Sequence, residues 1–423
     1  MQWVLQWALQ FARRSPKTFP MNTPTNPLIA AAFAPPVMEA RRWLDGVRPA
    51  PGRPLINVSQ AAPTAPPPQA LREAIAEIAL EDAAAHLYGP VLGLPELRAE
   101  IAERWSAAYG GTIAAEQVAI TSGCNQAFCA AMTTLAGPGD EVILPTPWYF
   151  NHKMHLDMAG VRAVALPAGD GMLPDPARAE ALVGERTRAI VLVSPNNPAG
   201  VEYPADLVAA FADLAGRHGL ALVLDETYRD FDSRDGAPHA LFANPDWAET
   251  VIQLYSFSKA FRLTGHRVGA IVAAEKRLRQ VEKYLDTVSI CPNQIAQRAA
   301  LFGLRNLGRW LAGERAEILA RRTAVQAAFA PLEARGWRLR GLGAYFAYLE
   351  HPFAASSAAL APLLPQRAGV LMLPGTMFRP ADDPRGEREF RIAFANTDSA
   401  GIAALFRRLE KLPPDLAPLP QGA

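Results

Sequence analysis

The chain is poor in cysteine and histidine and has almost no charge imbalance. Its three cysteines, Cys124, Cys129 and Cys291, are too few for a disulfide framework and lack zinc-site spacing, so a reducing compartment is expected. The seven histidines are scattered and form no HExxH pattern, so no metal site is expected. Lys+Arg number 42 against 41 Asp+Glu, a net charge of +1, and the two signs interleave. That balance advertises neither a nucleic acid nor an anionic membrane as partner. No apolar run is long enough to span a bilayer. The opening "MQWVLQWALQFARR" is apolar first and basic after, the reverse of a secretory signal. Met1 to Phe19 therefore reads as a loosely ordered extension, and the expected location is cytoplasmic.

Half of the 423 residues are hydrophobic and 20% are charged, a globular composition spread over more than one structural unit. Pro-rich stretches "RPAPGRP" and "AAPTAPPPQ" bracket a short strand candidate, Leu55 to Gln60. From there to about Ala300, apolar runs alternate with helical patterns. The runs are "QVAITSG", "EVILPTP", "VRAVALP", "AIVLVSP", "ALVLDET", "VIQLYSFS" and "RVGAIVAA". They carry few interior charges and read as strands buried on both faces. Between them, "NQAFCAAMTTLAG" and "PADLVAAFADLAGRHG" have helical spacing. This alternation predicts a doubly wound α/β sheet, whose ligands bind beyond the strands' carboxyl ends. Gly123, Tyr149, Asn197, Asp225 and Lys259 each follow or end such a run. A long helical stretch, about Ala299 to Phe329, comes next. "WRLRGLGAYFAYLE", "VLMLPG" and "EFRIAFA" then read as strands, and "SAGIAALFRRLEKL" as a closing helix. The expected division is an extension over 1–24, an arm and part of a small domain over 25–60, a large domain over 61–305, the rest of the small domain over 306–412 and a tail over 413–423.

Seven motifs in order, "YGPVLGLPELR", "TSGCNQAF", "PTPWYFNH", "SPNNPAG", "LDETY", "SFSKAFRLTGHRVG" and "FRIAFA", give the chain a resemblance to the class I/II aminotransferases dependent on pyridoxal 5'-phosphate (PLP). The resemblance covers about Pro51 to Leu412. It implies PLP fold type I, aspartate aminotransferase-like. A large domain would carry a mostly parallel seven-stranded sheet, and a smaller α+β domain would come from both chain ends.

The resemblance also implies roles. Lys259 in "SFSK" would form the Schiff base with PLP and then carry a proton at the substrate Cα. Asp225, at the end of an apolar strand where a carboxylate needs a partner, would keep the pyridine nitrogen protonated. Asn197 and Tyr228 would hydrogen-bond the phenolic oxygen; a turn role for the first and a packing role for the second are the plain alternatives. Gly123, Cys124 and Asn125 stand where a strand opens into a helix, an arrangement whose free N–H groups suit a phosphate. Ser256 and Arg267 would bind the same phosphate, and Cys124 would act through its backbone. Tyr149 would stack on the ring, with Trp148 as the competitor one residue away. Arg391 would take the substrate α-carboxylate in a bidentate pair, beside Asn197. Tyr88 would reach the neighbouring subunit's cofactor phosphate, which makes the expected assembly a homodimer with shared sites. One departure stands out. Many relatives carry a glycine after the N-terminal strand, where "INVSQAAP" has Ala61, so no substrate contact is carried over from that segment.

The expected activity is transfer of an amino group between an α-amino acid and a 2-oxo acid. No motif narrows the side chain, and the reading leans to an acidic or aromatic donor with 2-oxoglutarate as acceptor. A carbon–sulfur β-lyase would use the same lysine and the same carbanion. A PLP-binding transcription regulator would need a DNA-binding module, and the Pro-rich residues ahead of the fold have neither a helix-turn-helix pattern nor a basic patch.

Overall fold

The computed structural model describes residues 23–48, 50 and 52–416; the extension expected over Met1 to Phe19 lies outside these, as do residues 417–423 of the expected tail. The first strand, β1 (Ile56–Asn57), is shorter than the Leu55–Gln60 candidate. Its end has a local cause. The Asn57 side chain accepts hydrogen bonds from the Ser59 N–H (3.1 Å) and hydroxyl (2.7 Å), an Asx turn that takes the backbone out of extended pairing.

All seven apolar runs form strands. They are β2 (Val118–Thr121), β3 (Glu141–Thr146), β4 (Arg162–Pro167), β5 (Thr187–Val193), β6 (Ala221–Asp225), β7 (Val251–Ser256) and β8 (Gly269–Val272). They make one sheet in the order β2-β8-β7-β6-β5-β3-β4, with only β8 running against its neighbours. The strands bury both faces by alternation. Val142, Leu144, Val223 and Leu254 pack with Phe128 and Leu278 of helices Cys124–Thr133 and Glu275–Ser289. Ile143, Ile190, Leu222 and Leu224 turn the other way, onto Phe211 and Leu214 of helix Ala205–Arg217. β4 departs from the expectation of two buried faces: Arg162 is exposed and only Val164 and Leu166 are buried. It is one of the two edge strands, paired with β3 alone.

The expected long helix from Ala299 is two helices, Gln294–Asn306 and Gly308–Glu333. The chain breaks at Asn306-Leu307-Gly308, where Asn and Gly are weak helix formers and Asn306 Nδ2 bonds back to Phe302 O at 2.9 Å. Beyond it come β9 (Arg338–Gly343), β10 (Phe346–Glu350), β11 (Val370–Leu371), β12 (Leu373–Pro374) and β13 (Glu389–Ala393). β12-β13-β10-β9 form an antiparallel sheet under helices Gly308–Glu333 and Ser399–Glu410, with Phe329, Phe346, Phe390, Phe406 and Leu409 in the shared core. β1 joins this smaller α+β part by pairing parallel to β11. Val58 continues the link, since its N–H donates to Leu371 O and its carbonyl accepts from Ala393 N–H. Residues 59–61 are thereby delivered to the carboxyl edge of the seven-stranded sheet.

Candidate active site

A cavity of ≈ 430 Å³ opens at that edge. Of the residues singled out in the sequence, Cys124, Asn125, Tyr149, Asn197, Asp225, Tyr228, Ser256, Lys259, Arg267 and Arg391 line it. Gly123 sits directly behind. Its φ is +85°, and a Cβ there would stand 2.2 Å from Arg267 Nη2, so only glycine fits the approach. Trp148 does not line the cavity; it is buried against neighbouring packing, and Tyr149 presents its ring instead. Tyr88 is also absent from the cavity and is 80% exposed.

Asp225 ends β6, paired with Val193 and beside Leu254, and is buried. Burial alone would raise its carboxyl, but His152 and Thr227 outweigh it and hold the group below the ordinary aspartate value. Thr227 N–H donates to Oδ1 at 2.9 Å and His152 Nε2 lies 3.3 Å from Oδ2. His152 is in turn stacked on Phe128, ring centroids 3.8 Å apart. The next acid in the motif, Glu226, is buried away from the cavity, where Tyr109 and Gln253 donate to it. Alternation along the strand thus separates two adjacent carboxylates into different surroundings.

Lys259 sits on a single helical turn, Phe257–Ala260, capped by Ser256, whose hydroxyl accepts from Ser258 N–H at 3.2 Å. Phe257, Ala260 and Phe261 anchor that turn in the core. The amine donates to Ala61 O at 2.6 Å. Burial, then the charges of Arg267 and Arg391, lower it from 10.5 to about 8. Arg267, at φ +54°, donates to Ser258 Oγ (3.3 Å), Thr264 O (3.1 Å) and Ser122 O (3.4 Å). Beside it lies the start of helix Cys124–Thr133, whose first N–H groups have no intrahelical acceptor. The cavity therefore holds both a carboxylate and cations with free N–H donors, and the charges of Arg267 and Arg391 both act on the amine.

Arg391 lies on β13 and is 2% exposed. Nη1 donates to Asn197 Oδ1 at 3.0 Å and Nη2 donates to Ser59 O. Its Nε–H is buried with no acceptor. No carboxylate faces it among the described residues, and burial lowers it to about 10. Tyr149 and Asn125 meet at 3.4 Å, and Asn151 Nδ2 donates to the Tyr149 hydroxyl at 2.9 Å. Reading the sequence did not single out His152, Thr227, Ser258 or Arg41. His152 had a signal: it stands three residues after Tyr149, one helical turn on, in the quoted motif.

A family model for aminotransferases of class I and II matches residues 53–409. The chain belongs to this family. It is 30% identical over 370 residues to an aspartate aminotransferase of Pyrococcus horikoshii, covering 84% of this chain and 90% of that one. It is 28% identical over 354 residues to an aromatic aminotransferase of Arabidopsis thaliana, 82% and 86% of the two chains. A solved Thermus thermophilus aspartate aminotransferase superposes with a TM-score of 0.82 at 25% identity, covering 92% of this chain and 99% of that one. The protein is thus a PLP-dependent amino-acid aminotransferase of fold type I. Its cavity suits that cofactor on its own chemistry. A buried ionised carboxylate suits a protonated ring nitrogen, an amine of lowered basicity suits attachment, and a guanidinium beside a helix start suits a phosphate.

Proposed function

We propose that this aminotransferase requires an α-carboxylate on both the amino donor and the oxo-acid acceptor, and that Arg391 binds it. The observation that carries this is the buried guanidinium in the cavity that holds Lys259, with an orphaned Nε–H and no carboxylate partner among the described residues. A buried charge left so is costly until a carboxylate meets it, and a planar fork answers one carboxylate with two parallel hydrogen bonds.

In this reading Asp225 holds the proton of the ring nitrogen, with His152 and Thr227 fixing the carboxylate. Tyr149 covers one ring face. Asn197 and Tyr228 attend the phenolic oxygen. Ser256, Arg267 and the N–H groups from Gly123 to Asn125 hold the phosphate. When bound, the cofactor supplies an electron sink for the carbanion at the substrate Cα. Lys259 is the attaching amine; once displaced, it is the base that moves the proton at Cα. The exposed Tyr88 reaches the site of a second copy, so the active form is a homodimer, and its setting is cytoplasmic. Among the described residues, no helix is long and apolar enough to cross a membrane.

The relatives named for aspartate and for aromatic amino acids support a donor of one of these kinds. A panel of amino donors against 2-oxoglutarate and pyruvate tests the reading. α-Amino acids should transfer their amino group and decarboxylated analogues should not; equal rates for both would overturn it. Borohydride treatment of the yellow protein should add mass at Lys259, and labelling of another lysine would reject that assignment. Mixing Lys259→Ala with Tyr88→Ala protein should restore activity if sites are shared, whereas an active monomer by light scattering excludes sharing.

A further inference from the structure

Four cations line the cavity: Lys259, Arg267, Arg391 and Arg41. The first three have work in the proposed chemistry. Arg41, near the end of helix Pro36–Arg42, has none. It stands exposed at the cavity mouth, and its partners are neutral. Nη2 donates to Gln60 Oε1 at 2.8 Å, and Nη1 lies 4.0 Å from Met38 Sδ. No carboxylate pairs with it among the described residues. Arg262, close to Lys259 in sequence, is paired instead: Glu314 binds it at 2.6 Å, and it does not line the cavity.

The chain itself gives the relative placement. Ser59 O accepts from Arg391, Gln60 Oε1 from Arg41, and Ala61 O from Lys259. Ser59 and Ala61 thus present backbone carbonyls to Arg391 and Lys259, and Gln60 between them reaches Arg41 with the end of its side chain. Asn396 fixes this stretch: its Nδ2 donates to Gln60 O and to Asn57 O (3.3 Å), and its Oδ1 accepts from Ala62 N–H at 3.2 Å. An amino acid with its α-carboxylate at Arg391 and its nitrogen toward Lys259 has its side chain as the remaining group. The uncommitted guanidinium nearest that short stretch is Arg41. Only two of its contacts are used, and a guanidinium has five N–H donors.

We propose that Arg41 reads the side-chain carboxylate of a dicarboxylic amino donor and of the matching dicarboxylic oxo acid. This deepens the aminotransferase reading and rests on it for the placement of the α-carboxylate. Because Arg41 is exposed, it supplies discrimination of about tenfold, not the much larger factor of a buried pair.

The test is calorimetric binding of succinate and of butanoate to the holoenzyme, in wild type, Arg41→Lys, Arg41→Met and Arg41→Glu. Wild type should prefer succinate by about tenfold. The preference should shrink with lysine, vanish with methionine and reverse with glutamate. Butanoate binding in each variant reports that the pocket is folded. The ratio of kcat/KM for aspartate over alanine should fall in the same order. A succinate preference unmoved by Arg41→Met, or none in wild type, overturns the proposal. If no donor is turned over at all, the amino-transfer reading fails, while the succinate-to-butanoate ratio still decides the role of Arg41.

Discussion

Two arginines are buried within one small sheet region and have opposite surroundings. Arg379 is 4% exposed and Arg391 is 2% exposed. Arg379 is fully served: Nε and Nη2 bind Glu389 at 2.5 and 2.8 Å, and Nη1 binds Asp383 at 3.2 Å. Burial opposes its charge, yet Glu389 holds it above the ordinary arginine range. Arg391, two residues along β13 from Glu389, has only neutral acceptors, one N–H with none, and a lowered basicity. Both side chains are large buried cations, but the protein completes one and leaves the other to be completed. Lys259 belongs with Arg391, a half-buried cation whose hydrogen-bond partner is a neutral carbonyl. The contrast separates a cation that the fold pairs with carboxylates from cations that it leaves with neutral acceptors.

The sharpest break of this contrast is Lys259→Ala. Turnover should fall by about four powers of ten with the loss of the proton carrier. In protein stripped of its cofactor, thermal stability should not fall, because removing a half-buried cation that has no carboxylate partner removes a desolvation cost. A loss of activity together with an early melting transition would show that the lysine holds the fold instead.

Replacing each arginine by methionine comes next. Arg379→Met strands Glu389 and should cost about 3–5 kcal/mol of stability. Arg391→Met leaves two neutral acceptors unpaired and should cost about 1–3 kcal/mol, while succinate and α-amino acid binding are lost. Urea unfolding of the two variants beside wild type makes the measurement, and equal stability losses would dissolve the distinction. Arg391→Lys is gentler. The charge stays but the fork is gone, so kcat/KM for α-amino acids should drop by about a hundredfold with the cofactor spectrum retained.

What the sequence made legible was local: the seven strands are apolar runs, and Asp225 and Lys259 stand at or just after strand ends inside recognisable stretches. The edge position of β4 was not legible, because its composition resembles that of its neighbours and only pairing reveals it. The break at Leu307 carried a weak Asn and Gly signal within a strong helical pattern. His152 could be suspected from its spacing to Tyr149, but its contact with Asp225 crosses 73 residues of chain. Arg41 had no local signal at all, since its place at the cavity depends on helix Pro36–Arg42 packing through Ala40 with Leu371, Leu373 and Phe378.

The smallest expected effect concerns Lys259 in protein stripped of its cofactor. Burial is the largest cause of its lowered basicity, and the charges of Arg267 and Arg391 follow. Only the neutral amine attacks a carbonyl, so capture of an aldehyde should quicken as pH rises through the lysine's own value. In wild type the midpoint should stand near 8, not at the ordinary 10.5. Arg267→Gln removes one repelling charge and leaves burial in place. The ammonium form is then less disfavoured, so the midpoint should move upward without reaching 10.5. The rate of pyridoxal capture against pH measures both, with pyridoxal used because it has no phosphate for Arg267 to bind. A wild-type midpoint at 10.5 would mean the amine is solvated and placed with ordinary surface lysines. A midpoint unmoved in Arg267→Gln would mean that Arg267 does not act on the amine through its charge.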